Sequence, residues 1–229
     1  LMAKNVKLCR LGYEVMKNKT NIKKTNLYDK EADLIIPTNF GFEDIEPQIK
    51  SSFDAAKQKL AKNGFNVVEI HVPALDLYKK VPLWQFAAVE SQTEYFEAYN
   101  DKKHLMDPNI LRRMDRANDV LAVEYNLLLN IRKKLIKEFN NFLKNNFLLL
   151  PTVTIYPPLL EDCKDEPYYD EVNLISLRNT TLANYMNGCS ISLPYSNDDK
   201  PIGIMLNGTT KNDEKLLGIS AKVETVLSK

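Results

Sequence analysis

The order of apolar and polar positions divides this chain into segments of different period. Ala32 to Pro37 holds a short apolar run, Leu34-Ile35-Ile36, ended by proline, which predicts a buried strand. Glu43, Asp44 and Glu46 then stand ahead of Pro47. Acidic groups favour the positive end of a helix and proline suits its first position, so a helix is predicted to start there. Ile49, Phe53, Ala56 and Leu60 recur at helical spacing, and Gly64 supplies the stop. Val68, Ile70 and Val72 alternate with Glu69 and His71, predicting a half-buried strand closed by Pro73. Strand, helix and strand in this order predict two parallel strands joined by a right-handed crossover.

From Leu83 to Asn146 the pattern is helical. Trp84, Ala87, Ala88, Ser91 and Tyr95 fall on one face of a first helix. Asp107-Pro108 opens a second, carrying Ile110, Leu111, Met114, Leu121, Tyr125, Leu128, Leu135 and Phe139. No glycine or proline interrupts Asn109 to Asn146, which predicts one extended helix, or two joined by a bend, packed across the outside of a sheet. Leu148 to Pro151 returns to strand, and Pro157-Pro158 begins an irregular acidic loop through Asp170.

Val172 to Asn187 is predicted as a helix with Leu174, Leu177, Leu182 and Tyr185 inward. Cys189 to Pro194 and Ile202 to Leu206 are predicted strands of a hairpin, joined by the turn cluster Asn197-Asp198-Asp199-Lys200-Pro201. Thr210 or Asn212 is positioned to cap a final helix that turns Leu216, Leu217, Val223 and Leu227 inward. At the other end, apolar periodicity stops after Val15. Asn18 to Glu31 reads as a surface connection, and the lysines from Lys17 to Lys24 as a solvated linker rather than a phosphate-binding arm.

Composition narrows the class. The 229 residues are 44% hydrophobic and 27% charged, the balance of a folded domain rather than a disordered chain. A net charge of +1 provides no field that would draw the protein to nucleic acid or an anionic membrane. Cys9, Cys163 and Cys189 are odd in number and far apart, which fits free thiols in a cytoplasmic protein better than a disulfide framework or zinc site. No apolar secretory segment opens the chain, and Phe147 to Leu150 is too short to span a bilayer.

The search for chemistry returns little. His71 and His104 have no ligand partners at metal-binding spacing, so no metal and no cofactor are expected. There is no G-x-S-x-G turn to expose a nucleophilic serine, and the seven glycines form no phosphate loop. Ser51-Ser52 reads as a solvated helix face, Glu90 and Glu94 as an ordinary surface pair, and Cys189 as a small core residue.

Several segments nevertheless follow a recognisable order. They are Ile36-Pro37-Thr38-Asn39-Phe40-Gly41-Phe42-Glu43-Asp44 leading into the Pro47 helix, and Leu148-Leu149-Leu150-Pro151-Thr152. Arg178-Asn179-Thr180-Thr181-Leu182-Ala183-Asn184 follows, then Ser190 to Pro194, Pro201-Ile202-Gly203-Ile204-Met205-Leu206 and the Leu216-Leu217 helix. In this order they resemble the C-terminal half of the amidase signature family. The resemblance implies an α/β fold, a partial mixed sheet flanked by helices with a long helical insert. It divides the chain into an N-terminal helix and linker over 1–31 and an amidase-like portion over 32–229, the insert lying at about 83–146.

The family cleaves amides with a serine nucleophile, a second serine in a cis peptide and a lysine. No Gly-Ser-Ser cluster or preceding lysine matches them here, so no catalytic residue is assigned. The resemblance implies that Thr180 faces the acyl-binding side and that Asn184 ties down the helix end, which makes these two the expected substrate-binding residues. The expected function is the C-terminal portion of an amide hydrolase, inactive unless paired with an N-terminal half that carries the nucleophile ahead of Leu1. The alternative is a non-catalytic remnant serving as a binding or protein-interaction module, and a third reading is an unrelated α/β domain. Expected partners are that N-terminal half or a second copy of the chain, with a small amide substrate bound only in the complete site.

Overall fold

A computed structural model describes residues 1–17, 32–196 and 200–228. The linker expected over Asn18 to Glu31 and the turn at Asn197 to Asp199 lie outside the described residues. The chain divides into two compact units, one of Leu1–Val72 with Glu138–Lys229, the other Pro73–Lys137.

The first unit is a five-stranded sheet in the order β2-β1-β3-β5-β4. Its strands are β1 (Leu34–Pro37), β2 (Val67–Ile70), β3 (Phe147–Pro151), β4 (Cys189–Tyr195) and β5 (Ile202–Gly208). Strand β1 runs parallel to both β2 and β3, whereas β5 is antiparallel to β3 and β4. Alternation then sorts the side chains. Leu34, Ile36, Phe147, Leu149, Leu193, Ile204 and Leu206 turn to a face covered by α1 (Val6–Met16), α2 (Pro47–Lys62) and α9 (Asp213–Leu227). There they form one core with Ile49, Phe53, Ala56 and Leu60 of α2 and Leu216, Ile219 and Val223 of α9. Strands β1 and β3 are buried at every position, as their unbroken apolar runs require of strands covered on both faces. The opposite set on β4, Ser190, Ser192 and Pro194, is exposed.

Helix α2 begins at Pro47 and stops where Gly64, at φ +91°, lets its own N–H reach the Ala61 carbonyl and that of Phe65 reach Leu60. Helix α8 (Glu166–Tyr185) starts earlier than the sequence pattern suggests. Asp165 accepts from the Tyr168 N–H, and a proline occupies the first turn, so the helix absorbs the end of the acidic loop. Its buried residues are Asn179, Leu182, Ala183 and Tyr185, while Leu174 and Leu177 are exposed. Apolar periodicity alone could not reveal that a polar Asn179 takes the inner position. Two further expectations change for similar reasons. Ser52 is buried rather than solvated, being one position from Phe53 on the inner side of α2. Neither Thr210 nor Asn212 caps α9 through its side chain; the Thr210 hydroxyl instead accepts from the Asn140 amide.

The second unit contains α3 (Pro73–Tyr78), α4 (Leu83–Glu94), α5 (Phe96–Asp101), α6 (Pro108–Asp115) and the start of α7 (Ala122–Leu143). Of the two arrangements expected over 109–146, the structure has two helices joined by a bend, α6 and α7 being separated by a 3-10 turn at Arg116–Asp119. As expected, Asp107 caps α6, accepting from the Asn109 and Ile110 N–H groups. The inner residues are Leu75, Tyr78, Phe86, Ala88, Tyr99, Met114, Leu128 and Leu135, while Ala87, Tyr95, Ile110 and Leu121, which belong to the helical apolar pattern, are exposed. The Tyr99 hydroxyl donates to Asp115 at 2.6 Å and accepts from Asn118, which anchors the 3-10 turn that ends α6.

Candidate functional site

Strand β1 connects to β2 on one side, and the chain returns to β3 on the other. The carboxyl ends of β1 and β3 are therefore a switch point in strand order, where open α/β sheets form their ligand crevices. Two loops leave it, 38–46 after β1 and 152–165 after β3.

Local hydrogen bonds fix the first loop. The Asn39 side chain donates to the Val72 carbonyl and accepts from its N–H, extending the β1–β2 pairing by one side-chain rung. Gly41, at φ +90°, directs its N–H to the Glu43 carboxylate at 2.7 Å. A Cβ at this glycine would lie 2.6 Å from Leu150, so both the backbone angle and the packing require glycine. The Arg178 guanidinium of α8 then donates to the Glu43 carbonyl and, at 3.0 Å, to Asp44.

Two residues join this loop to the second. The Asn179 side-chain amide donates to Gly41 O at 3.0 Å and to Pro151 O at 2.8 Å, with the residue only 1% exposed. Glu46 gives its N–H to the Thr154 carbonyl at 2.9 Å and takes the Tyr156 N–H on its carboxylate at 3.0 Å. The sequence pattern assigns Glu46 to the start of α2; its carboxylate is used instead to hold the loop after β3.

Beside this junction lies a cavity of about 450 Å³, lined by Ile49, residues 152, 153 and 155–158, Ser176, Ser192 and residues 201–203. Among its lining residues the Thr152 and Ser192 hydroxyls share a hydrogen bond of 2.6 Å on the exposed face of β4. Gly203 lies beneath them, and a Cβ there would stand 2.5 Å from the Thr152 oxygen and 2.6 Å from that of Ser192. Among the described residues the lining holds hydroxyls and apolar groups but no carboxylate, amine, imidazole or thiol. Such a cavity has room for a small organic molecule and groups to hydrogen-bond it, and its described residues include no general base to activate a nucleophile.

The expected site residues fall nearby on α8. Thr180 is half-buried with its hydroxyl donating to the Leu177 carbonyl at 3.2 Å, and Asn184 is exposed in the last turn. Neither lines the cavity, to which α8 contributes Ser176. Asn179, Thr152, Ser192 and Gly203 all lie in the segments that carry the family resemblance, but the sequence assigns them no individual role. Ser190 and Ser192 also alternate with Ile191 and Leu193, the mark of a strand with one polar face.

Cys189 is a small, largely enclosed residue whose thiol is pushed up to about 12 by burial and by the charge of Asp213, which makes it a poor nucleophile. Among the described residues no group of His, Cys, Asp or Glu could hold a metal ion, and no helix is long and apolar enough to cross a membrane.

An open mixed sheet of five strands flanked by helices, with a hydroxyl-bearing cavity beside its switch point, defines the class as α/β. The amidase family model matches residues 2–217, and the chain belongs to that family. Over 204 residues it is 29% identical to the 2-amino-5-chloromuconic acid deaminase of Comamonas testosteroni, matching 84% of this chain and 42% of that protein. It is 23% identical to a glutamyl-tRNA(Gln) amidotransferase polypeptide of Treponema denticola, over 88% of this chain and 47% of the relative. The chain thus spans somewhat under half the length of these relatives. Among solved structures, a variant of Kluyveromyces lactis allophanate hydrolase superimposes with a TM-score of 0.79 at 22% identity, over 98% of this chain and 38% of that one. The 6-aminohexanoate cyclic dimer hydrolase bound to substrate gives 0.66 at 18% identity, over 89% and 47%. These likenesses establish the fold.

Proposed function

We propose that this chain is the C-terminal portion of an amide hydrolase and forms a wall of its substrate site, while the serine nucleophile comes from outside these 229 residues. The observation that carries the reading is the composition of the cavity. It provides hydrogen-bonding hydroxyls and apolar surface beside the switch point of an amidase sheet but, among the described residues, no general base to activate a nucleophile. Splitting binding from chemistry in this way fits a chain that spans 42% of its deaminase relative.

In the complete site the reaction would be C–N bond cleavage, with the acyl group resting against this chain. Thr180 would face the acyl side and Asn184 would fix the end of α8. The 29%-identical relative is named for deamination of an aminomuconic acid, which supports release of ammonia from a small substrate.

The test is to assay ammonia release from small aliphatic amides, allophanate and glutamine. The chain would be used alone and together with an amidase N-terminal half carrying the Ser–cis-Ser–Lys set. Activity from the combination but not from either part is the expected result. No activity and no association by size exclusion would overturn the reading and favour an interaction module.

A further inference from the structure

We infer that the exposed face of α7 is a self-association surface, on which a second copy of this chain packs antiparallel with Glu124 against Lys134 and Leu127 against Ile131. The inference goes beyond the hydrolase reading and does not depend on it.

One side of α7 is occupied within its own unit. Leu128 and Leu135 are buried, Tyr125 meets the edge of the Phe86 ring at 5.7 Å, and the Arg132 guanidinium lies 5.5 Å over that ring. Another side carries Glu124, Leu127, Ile131 and Lys134. Their spacing of three, four and three places them on one stripe of the helix. All four are exposed and all belong to the Pro73–Lys137 unit. Leu127 is 59% exposed and Ile131 37%, and Val123 beside them is 63% exposed. A helix flank that faces only water is ordinarily polar, so this apolar cluster calls for a cover.

The order of the stripe selects the occupant. Read along the helix it is acid, apolar, apolar, base, and turned end to end it complements itself. An antiparallel second copy sets Glu124 opposite the other Lys134 and Leu127 opposite the other Ile131. A two-fold axis makes each contact twice, so one patch supplies both sides of the interface. Parallel packing would instead oppose like charges and align the helix dipoles. The wider charge pattern agrees. From Ala122 to Ile131 the one charged residue is Glu124, whereas Arg132 to Glu138 holds four cations and one carboxylate. The Glu124 carboxylate accepts the Leu121 N–H at 3.4 Å, which steadies it, and a carboxylate has capacity for a further donor. Ion pairs this exposed set orientation more than affinity, and burial of Val123, Leu127 and Ile131 supplies the attraction. A contact of a few turns per copy is small, so the dimer is weak and forms at about 100 μM.

The test is sedimentation velocity on the 229-residue chain over a concentration series reaching about 300 μM. The wild type is expected to pass from monomer to dimer. Leu127→Asp should weaken the dimer at least about thirtyfold while leaving the thermal midpoint unchanged, since the position is exposed. Glu124→Lys and Lys134→Glu should each weaken it at least about tenfold, because like charges then meet at both ends of the stripe. An equimolar mixture of these two single variants should dimerise again, because each then faces its opposite charge. The charge variants also keep the test decisive in case Leu127→Asp does not fold. A wild type that stays monomeric overturns the inference, as does a dimer that persists in Leu127→Asp. Failure of the mixture to recover overturns the antiparallel arrangement. If an amidase N-terminal half dissolves the dimer and Leu127→Asp no longer binds that half, the face belongs to the half and the inference falls.

Discussion

The side-chain amide of Asn179 donates to the backbone carbonyl of Gly41 at 3.0 Å, although the two residues are 138 positions apart. A second bond from the same nitrogen to the Pro151 carbonyl makes this one side chain the fastener between α8 and the loops after β1 and β3. Replacing it leaves two carbonyls at a buried site without that donor. Asn179→Leu is expected to lower stability by about 3 kcal/mol. Urea unfolding followed by circular dichroism checks this, and a loss under about 1 kcal/mol would show that the fastener is dispensable.

Gly41 and Gly64 offer an internal control for backbone strain. Both have positive φ, +90° and +91°, but a Cβ at Gly41 would lie 2.6 Å from Leu150, whereas one at Gly64 meets nothing within 4 Å. Gly64→Ala should cost about 1 kcal/mol, the left-handed penalty alone. Gly41→Ala should cost about 2–4 kcal/mol, because overpacking adds to the same penalty. Denaturant midpoints of the two variants decide it, and equal losses would refute the packing argument.

The Cys189 thiol supplies a pH-dependent test. Burial and the charge of Asp213 raise it to about 12, so in the native chain it keeps its proton across the alkaline range. In the unfolded chain a cysteine ionises near about pH 8.5. The native state then holds more protons, so this residue's contribution to stability is intact below about pH 8.5 and declines as the pH rises towards the folded value. Iodoacetamide at about pH 9, just above the unfolded value, should label Cys189 slowly in native protein and rapidly in urea, as read by peptide mass spectrometry. Equal labelling rates would contradict the assigned burial.

Ser220 on α9 is fully buried, and its hydroxyl has no hydrogen-bond partner among the described residues. Ser220→Ala removes a desolvated polar group from the core and should stabilise the protein by up to about 1 kcal/mol. Thermal unfolding checks the sign, and a lower midpoint would reveal a partner for the hydroxyl.

Much of the scaffold is legible because its residues answer to local rules. Pro47 and Gly64 bound α2, the runs at Leu34–Ile36 and Phe147–Leu150 form the doubly covered strands, and Cys189–Pro194 pairs with Ile202–Leu206 as read. The pattern misleads where tertiary packing outweighs periodicity. Leu174 and Leu177 match an inward stripe but are exposed, because α8 is oriented by Asn179 and Arg178 gripping the 38–46 loop. The break after Asp115 carries no glycine or proline; Tyr99 and Asn118 anchor it through long-range hydrogen bonds.

By itself, then, the sequence determined the elements, the parallel β1–β2 unit, the amidase resemblance and the lack of a local nucleophile motif, since each depends on neighbours in the chain. Only the tertiary structure decided that Thr152, Ser192 and Gly203 line one cavity and that Asn179 fastens the loops beside it. Those residues come from different strands and a distant helix. Their meeting depends on the register of β3, β4 and β5, which a one-residue slip would undo by turning the side chains to the other face.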